Sequence, residues 1–201
     1  DQDHINGVME VLEEGKKGWL TVKHLLYPCW MEETEQGREL QKLAKEAGAS
    51  CQGIRAGDQL ELGNAEAAVI YPGDEETVTE PNAGSLVLCW EWAGVRTLFT
   101  GDLPEEKERE LLQKLPACEI LQVGHHGSAT STCQEFLDRV QPSLAVISCA
   151  LTNRYGHPAP DTVERLEKNG CEIRYTMKGG AVTVRQRGKE IRVEEYVTGG
   201  Q

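Results

Sequence analysis

The spacing of apolar residues along the first half of the chain predicts helices and short strands. Apolar positions at helical spacing predict amphipathic helices over residues 5–14 and 35–47, each followed closely by a glycine. The first of these helices is predicted to begin directly after Asp3 and His4. Runs of β-forming residues between turn signals predict strands, at residues 20–27, 51–55, 59–62 and 65–71.

The second half of the chain predicts a hairpin and then a regular alternation of helices and strands. Residues 85–92 and 95–100 are rich in β-formers, and Ala93 and Gly94 form a tight turn between them. After this hairpin the pattern predicts helix 105–114, strand 119–123, helix 133–140, strand 144–148, helix 161–169, strand 172–176, and strands 181–185 and 191–196. This alternation is typical of an α/β fold, whose functional loops usually follow strands.

Length and composition fit one globular domain. A chain of 201 residues, 39% of them hydrophobic, is long enough for one α/β domain and short for two. We therefore expect residues 1–201 to form a single domain. No apolar run approaches the length that crosses a bilayer. The seven cysteines include no Cys-x-x-Cys pair, so we interpret them mainly as reduced thiols in the core.

The charge of the chain limits the kind of nucleic-acid chemistry that it can perform. Lys and Arg number 21 against 33 Asp and Glu, which gives a formal net charge of -12. This is the wrong sign for holding a phosphate backbone with basic side chains alone. Any chemistry on nucleic acid then requires bound cations, and we expect no tight nucleic-acid binding by this chain alone.

Two groups of carboxylates are candidate metal ligands. Asp1, Asp3 and His4 place two carboxylates and an imidazole within four residues, although aspartate in this position is also a common helix cap. A hydrophobic strand ends at Gly101 and delivers Asp102, although Gly-Asp is also common in turns. Each group taken alone is compatible with a structural role.

Two adjacent histidines give a more specific signal. His125 and His126 lie between glycines directly after a predicted buried strand, where imidazoles have no packing role. Both are able to bind a divalent metal ion, or one binds the metal while the other contacts substrate as an acid, a base or a hydrogen-bond donor. Ser128 follows them, and together with the hydroxyl residues after it either caps the next helix or contacts an anionic oxygen.

A further histidine follows the strand predicted at 144–148. His157 precedes Pro158, which favours an extended backbone at His157, and Asn153, Arg154 and Tyr155 come just before it. A fixed histidine beside an arginine and a tyrosine suits contact with a phosphate. The alternative is a turn whose polar groups only satisfy one another.

Weaker candidates complete the set. Residues 82–85 precede the hairpin and either supply an amide or a hydroxyl near the site or form a plain turn. Trp30 and the other three tryptophans are interpreted as packing residues.

In this order and with these spacings, the motifs D-x-D-H, F-T-G-D, V-G-H-H-G-S and N-R-Y-G-H-P resemble the metallo-β-lactamase domain of ComEC competence proteins. The resemblance extends from Asp1 to about Val184. It implies an α/β fold, a metallo-β-lactamase-like αββα sandwich with the motif loops at one edge. In that family the first motif usually reads H-x-D-x-D-H. The resemblance therefore also implies that this sequence begins inside the motif, with the fold incomplete at the N-terminus and lacking its first strands.

The resemblance implies metal ligands residue by residue. Asp1 helps to hold a first divalent metal ion, Asp3 and His4 hold a second, Asp102 bridges both ions, and His125 completes the second site. Two such ions, about 3.5–4 Å apart, activate a shared water and clamp the attacking and leaving oxygens of a phosphodiester. Because carboxylates are numerous among these ligands, we expect either Zn²⁺ or Mn²⁺.

The remaining motif residues are assigned to catalysis and to substrate. The resemblance places His126 and His157 around the substrate phosphate, and we expect them, together with Asp3, to be catalytic. The predicted substrate-binding residues are Ser128, Asn153, Arg154 and Tyr155.

The leading hypothesis that follows from the resemblance is a metal-dependent nuclease that degrades one strand of DNA during competence-linked uptake. Its substrate is single-stranded DNA or another phosphodiester, and its partner is a membrane channel domain of the same parent protein. The resemblance also implies a soluble domain of a bacterial plasma-membrane protein, on the outer face of the membrane. Two alternatives remain open: a hydrolase of a small ester, lactone or phosphodiester with the same fold, and a non-catalytic structural domain of a membrane DNA transporter.

Overall fold

The computed structural model describes residues 2–74 and 77–196, with side chains from His4 onward. The helices in these ranges are α1 (Gln2–Lys16), α2 (Glu35–Glu46), α3 (Glu105–Leu111), α4 (Gln134–Val140), α5 (Pro160–Lys168) and α6 (Thr176–Gly179). Short 3₁₀ turns occur at Cys29–Met31, Pro81–Gly84 and Gly124–Gly127. Among the helices of the described residues, none has the length and apolar character that crossing a bilayer requires.

Eleven strands are found in the same ranges: β1 (His24–Pro28), β2 (Ser50–Ile54), β3 (Gln59–Leu62), β4 (Ala65–Tyr71), β5 (Val87–Trp92), β6 (Val95–Phe99), β7 (Ile120–Gln122), β8 (Leu144–Ile147), β9 (Glu172–Tyr175), β10 (Ala181–Arg187) and β11 (Glu190–Tyr196). Strands β3 to β9 form one seven-stranded sheet in sequence order. Its first four strands run antiparallel and β6 to β9 run parallel. The loops that follow β6, β7 and β8 therefore leave the sheet at the same edge.

The two faces of this sheet are covered differently. On one face, residues of α3, α4 and α5 such as Leu111, Phe136 and Leu166 pack on the strand residues Leu98 and Leu121. On the opposite face, a smaller cluster joins the sheet to the antiparallel β10–β11 hairpin, through Val95, Ile120, Leu144, Val184, Ile191 and Val193. The prediction of an α/β fold is confirmed. We call β3 to β9 with α3 to α5 the sheet region.

A second core lies at the N-terminal end of the chain. Strands β1 and β2 pair in parallel, and α1 and α2 pack with them around a cluster of buried residues: Leu12, Leu25, Tyr27, Met31, Leu40, Ala44 and Ala49. Helix α2 begins after Thr34, whose hydroxyl accepts a hydrogen bond from the Gly37 amide at 3.0 Å. We call residues 2–54, from α1 to β2, the N-terminal region.

Several element boundaries differ from the prediction. Helix α1 begins at Gln2, so Asp3 and His4 lie in its first turn instead of preceding it. Strand β1 begins at His24 and not at residue 20, because its pairing with β2 starts there. Helix α3 ends at Leu111, before a Pro at position 116 that a helix cannot easily approach. Residues 176–179 form α6 directly after β9, which the strand pattern did not predict.

The cysteines behave as predicted. All seven are free thiols, and Cys89, Cys118, Cys133 and Cys171 are buried. Burial raises the pKa of Cys118 and of Cys133 to about 12. These thiols therefore stay protonated and pack as small hydrophobic groups.

Candidate metal centre

Three side chains from distant parts of the sequence meet at the edge of the sheet. His4 comes from the first turn of α1, Asp102 follows β6, and His126 follows β7. The Nε2 atom of His4 lies 3.3 Å from Oδ1 of Asp102 and 3.3 Å from Nε2 of His126. The His126 Nε2 atom lies 3.8 Å from the same Asp102 oxygen. One potential ligand atom from each residue thus lies within 4.8 Å of the other two.

These distances fit a divalent cation. Ligand atoms bound tetrahedrally to one zinc ion at about 2.0–2.1 Å are separated from one another by about 3.3–3.4 Å. The Oδ1 atom of Asp102 is buried and makes no hydrogen bond within the described part of the chain. A buried carboxylate oxygen without a hydrogen bond is costly unless a positive charge compensates it. The cluster therefore has the spacing of a metal site, and it contains a carboxylate oxygen that is able to act as a metal ligand.

The charge state of Asp102 suits this role. Burial raises the pKa of its carboxyl group, but the neighbouring His4, His126 and His125 lower it by more, so that the pKa lies below its usual value of 3.8. The carboxylate is therefore ionised at neutral pH.

The backbone before Asp102 is held in a tight turn. Gly101 has a positive φ of 55°, and a Cβ atom at this position would lie 3.1 Å from the side chain of Ser85. The Asp102 amide donates a hydrogen bond to the Ser85 hydroxyl at 3.1 Å. Residues 82–85, which the sequence left open as a plain turn or a contributor to the site, thus support the backbone of Asp102.

The two adjacent histidines lie in a strained turn. His125 has φ 47° and His126 has φ 56°, a left-handed conformation that costs roughly 1–2 kcal/mol per residue with a side chain. Two hydrogen bonds hold it: the His125 amide donates to the Gly101 carbonyl at 3.0 Å, and the Ser128 amide donates to the His125 carbonyl at 2.9 Å. Such conformations concentrate at functional sites, where the surrounding contacts enforce them.

The turn directs the two imidazoles to different places. The Nδ1 atom of His126 lies 2.9 Å from the Ser148 carbonyl, which fixes Nδ1 as the donor and directs the lone pair of Nε2 towards the cluster. The His125 ring lies 5.7 Å from the His157 ring, and within the described residues it is not part of the three-residue cluster. The sequence prediction assigned His125 to the metal and His126 to the substrate, whereas His126 is the one beside Asp102.

His157 is positioned by its own loop and by the histidine turn. The Asn153 side chain accepts from the His157 amide at 2.9 Å and donates to the His157 carbonyl at 2.7 Å. Gly127 lies close to Pro158: a Cβ atom at position 127 would lie 2.7 Å from the proline ring, so a larger residue would not fit. Asn153, predicted to bind substrate, thus uses both ends of its amide to support the His157 backbone.

His157 is a neutral imidazole near the cluster. Burial lowers its pKa, and the neighbouring His125 and His126 lower it further. Its Nδ1 atom is buried and has no hydrogen-bond partner among the described residues. Arg154 and Tyr155 extend from the same loop into solvent. A ring nitrogen without a partner beside a metal site is a candidate for proton transfer or for contact with substrate.

The hydroxyl residues after the histidine turn have mainly structural roles. Ser128, a predicted substrate contact, is buried, and its Oγ atom lies 3.0 Å from that of Thr130. Capping of the next helix was one of two alternatives for this group, and within the described residues α4 has no side-chain cap at its N-cap position, Cys133. The backbone just before α4 is held by Glu108, whose buried carboxylate accepts from the amides of Thr132 at 2.7 Å and Cys133 at 2.8 Å.

A cleft of about 580 Å³ borders the cluster on the side of the N-terminal region. His4 and His126 line one end of it, and its walls are mainly apolar, with Ile5, Pro28, Trp30, Met31, Leu86 and Phe99. The indole N–H of Trp30 donates to the Gly84 carbonyl at 2.9 Å. Sequence reasoning interpreted Trp30 only as a packing residue, and no local pattern distinguishes it from the other tryptophans.

Two predicted ligands are not part of this geometry. Asp1 lies outside the described residues, and of Asp3 only the backbone in α1 is described. Their assignment as metal ligands stays a prediction.

The chain matches the family model of the Metallo-beta-lactamase superfamily over residues 1–150. CmlA, a diiron beta-hydroxylase from Streptomyces venezuelae, has a similar fold, with a TM-score of 0.52 at 11% identity, covering 87% of this chain and 45% of that one. At this identity the likeness concerns the fold alone. Both findings agree with the predicted metallo-β-lactamase-like architecture, and a fold of this family implies binding of divalent metal.

Three longer proteins are similar in sequence. The chain is 32% identical over 191 residues to ComE operon protein 3 of Bacillus subtilis (strain 168), which covers 94% of this chain and 24% of that protein. It is 34% identical over 103 residues to Recombination protein 2 of Haemophilus influenzae, covering 51% and 13%, respectively. It is 33% identical over 116 residues to Competence protein ComA of Neisseria gonorrhoeae, covering 56% and 17%. The chain thus spans about a quarter or less of the length of these relatives.

Proposed function

Because this chain belongs to the metallo-beta-lactamase superfamily, we propose that it is a metal-dependent phosphodiesterase that cleaves single-stranded DNA. The observation that carries the proposal is the cluster of His4, Asp102 and His126, with its buried and unsatisfied carboxylate oxygen.

In this proposal the three clustered side chains hold one divalent cation, Zn²⁺ or Mn²⁺. His4 and His126 contribute their Nε2 atoms and Asp102 contributes Oδ1. Asp1 and Asp3 are proposed to add carboxylates for a second cation, with Asp102 shared between the two sites. Bound divalent cations supply Lewis-acid activation of water and neutralise charge on a phosphoryl oxygen. Nitrogen ligands favour zinc and additional carboxylates favour manganese, so both metals belong in the test.

The imidazoles outside the cluster act on the substrate. His157 is neutral at pH 7 because its pKa is lowered, and its buried Nδ1 atom has no hydrogen-bond partner within residues 2–74 and 77–196. It therefore accepts or donates a proton at Nδ1 while a phosphodiester bond is cleaved. His125 lies between His157 and His126 and is placed to donate a hydrogen bond to a phosphoryl oxygen. This exchanges the roles that the sequence predicted for His125 and His126.

A DNA substrate is supported by the similar proteins. Two of them, Competence protein ComA and Recombination protein 2, are named for competence and for recombination. Because they are at least about four times longer than the chain, we propose that this domain is attached to a membrane channel and lies on the outer face of a bacterial plasma membrane. The net charge of -12 supports weak DNA binding that depends on the bound cations.

The test is metal-dependent hydrolysis by the 201-residue chain. End-labelled single-stranded DNA, p-nitrophenyl acetate and a simple lactone are each incubated with Zn²⁺ or Mn²⁺ and with EDTA. We expect cleavage of DNA that EDTA abolishes. Ester or lactone turnover without DNA cleavage would indicate a small-ester hydrolase. If the chain bound no divalent ion at micromolar concentration, the remaining hypothesis would be a structural domain without catalytic activity.

The pair of adjacent histidines provides a matched control. We expect His126→Ala to weaken metal binding by more than tenfold, since it removes a direct ligand, and to abolish cleavage. We expect His125→Ala to bind metal as tightly as the unmodified chain and to cleave DNA more slowly. Metal content measured after dialysis separates the two variants. The opposite outcome, with metal lost in His125→Ala, would contradict the proposed ligand set.

A further inference from the structure

A column of ring contacts leads from the cluster to the surface, edge-to-face between the histidines and stacked between His157 and Tyr155. The His125 ring lies 6.3 Å from His126 and 5.7 Å from His157. The His157 ring is stacked on Tyr155, with ring centres 5.7 Å apart and planes 17° from parallel. The guanidinium of Arg154 lies over the Tyr155 ring, 4.8 Å from its centre. The last planar group of the column is thus a cation at the edge of the active site.

The outer end of this column is exposed to solvent. Tyr155 is 65% exposed and Leu151, on the same loop, is 75% exposed. A large exposed apolar group next to a candidate site is a stronger indication of a binding surface than the same group elsewhere on the protein. Packing against the core therefore does not account for either side chain.

No carboxylate of the described residues forms an ion pair with Arg154. Its contacts within residues 2–74 and 77–196 are the stacking on Tyr155 and a hydrogen bond to the Tyr155 hydroxyl. Most arginines of this acidic chain form ion pairs, as Arg96 does with Glu91 at 2.8 Å. The positive charge of Arg154 is therefore available to an anionic ligand, and the face of its guanidinium turned away from Tyr155 is available for stacking.

We propose that Arg154, Tyr155 and Leu151 form a subsite that stacks one nucleobase of a single-stranded nucleic acid beside the phosphodiester at the metal centre. This rests on the proposed phosphodiesterase function. Arg154 holds the neighbouring phosphate by charge while the outer face of its guanidinium, supported from behind by the Tyr155 ring, stacks on the base. Leu151 covers the edge of the base from the same loop.

The subsite selects single strands because of the geometry of stacking. In a duplex each base is already stacked between its neighbours, and extruding one breaks both its stacking and its base pair. In a single strand the face of a base is accessible at little cost. Since every base has such a face, the subsite accepts all four bases.

Binding to short oligonucleotides tests the subsite independently of cleavage. Fluorescence anisotropy of the 201-residue chain with Mn²⁺ is measured for labelled hexathymidylate and for an abasic hexamer of the same charge. We expect the base-bearing strand to bind about tenfold more tightly, the range expected for stacking of one base. In Tyr155→Ala this ratio should fall to near one, whereas Tyr155→Phe should keep it.

Two further variants separate charge from stacking. Arg154→Lys keeps the charge and loses the planar group, so we expect a reduced ratio with an unchanged salt dependence. Arg154→Ala should weaken both oligomers and lower the salt dependence of binding by about one charge. Tyr196→Ala is the matched control, because Tyr196 is 68% exposed on β11, outside the column. It should leave the ratio unchanged.

The outcomes distinguish this inference from the proposed function. A base preference that depends on Tyr155, in a chain that cleaves no DNA, would support the subsite and overturn the nuclease proposal. Metal-dependent cleavage with equal binding of both oligomers would overturn the subsite alone. Absence of binding to either oligomer at low salt would also overturn it.

Discussion

The two regions of the molecule contribute to the metal cluster in different ways. The sheet region provides Asp102, whose side chain is 4% exposed, from a loop after the central strand β6. The N-terminal region provides His4, whose side chain is 42% exposed, from the first turn of a helix. Helix ends fray more readily than buried loops. We therefore call the sheet region the rigid half of the site, because its ligand Asp102 is held in a buried loop, and the N-terminal region the adjustable half, because its ligand His4 lies at a helix end.

One contact between the two regions is made at the turn Pro81–Gly84. Trp30 of the N-terminal region donates to the Gly84 carbonyl, and a Cβ atom at Gly84 would lie 2.7 Å from the Trp30 ring. The next residue, Ser85, accepts from the Asp102 amide. The position of His4 relative to Asp102 therefore depends on how the tryptophan packs against this turn.

The largest effect is expected from the rigid half. Asp102→Asn removes the ionised ligand, and we expect metal affinity to fall by on the order of 100-fold or more, beyond the loss that an outer partner causes. Metal at 100 times its Kd stabilises a protein by about 2.7 kcal/mol, or about 5–10 °C in a domain of this size. Differential scanning fluorimetry with and without Zn²⁺ should show this shift disappear in Asp102→Asn.

The control for this variant is Asp138→Asn, which changes an exposed aspartate of α4. It should retain the complete metal-induced shift. If Asp102→Asn also retained it, the cation would bind elsewhere and the division into a rigid and an adjustable half would lose its basis.

A smaller effect is expected where the regions meet. Trp30→Phe keeps an aromatic ring but loses the hydrogen bond to Gly84, at a cost of about 1 kcal/mol in the free energy of unfolding. Because His4 is then less firmly placed, we expect metal affinity to fall about threefold to tenfold, well short of the loss in Asp102→Asn. Competition with a chromogenic chelator measures it. Trp92→Phe, on β5, should leave the affinity unchanged, and an equal loss in both variants would argue against a specific role of Trp30.

The order of helices and strands was predictable because it depends on local spacing. The β5–β6 hairpin forms as predicted, with Ala93 and Gly94 at positive φ in its turn. The parallel pairing of β1 with β2 was not predicted, since it joins residues 26 positions apart that no local pattern relates. The same limit explains why the predicted first strand began too early. Strand β1 begins only where its pairing with β2 begins, at His24 and Ser50.

For the site, the sequence identified the loops but not the direction of each side chain. Asp102 and the histidine pair follow β6 and β7, whose parallel pairing brings their ends together. Which histidine faces Asp102 depends on two successive residues at positive φ, a conformation that His-His between glycines permits but does not dictate. Ser85 and Trp30 act through tertiary contacts, so neither has a local signal.

The smallest effect on metal affinity is expected from Glu108, deep in the sheet region. Its carboxylate accepts from the Thr132 and Cys133 amides, and Glu108→Gln removes one of these acceptors, so the variant should be less stable by about 1–3 kcal/mol. Burial raises the Glu108 pKa above 4.5 despite these hydrogen bonds. The protonated form therefore stabilises the folded protein, and this stabilisation is complete below pH 4.5 and is lost as pH rises through the raised pKa.

Glu108→Gln has no proton to lose at this position, so its unfolding free energy should lack that decline. We therefore expect the difference between the two proteins to narrow as pH rises above 4.5, measured by urea unfolding in EDTA. Metal affinity should change less than twofold, because the Thr132 and Cys133 amides lie beyond Ser128 and the histidine turn keeps its own hydrogen bonds. A loss of affinity as large as that in Trp30→Phe would mean that the sheet region is also adjustable, and would remove the distinction between the two halves of the site.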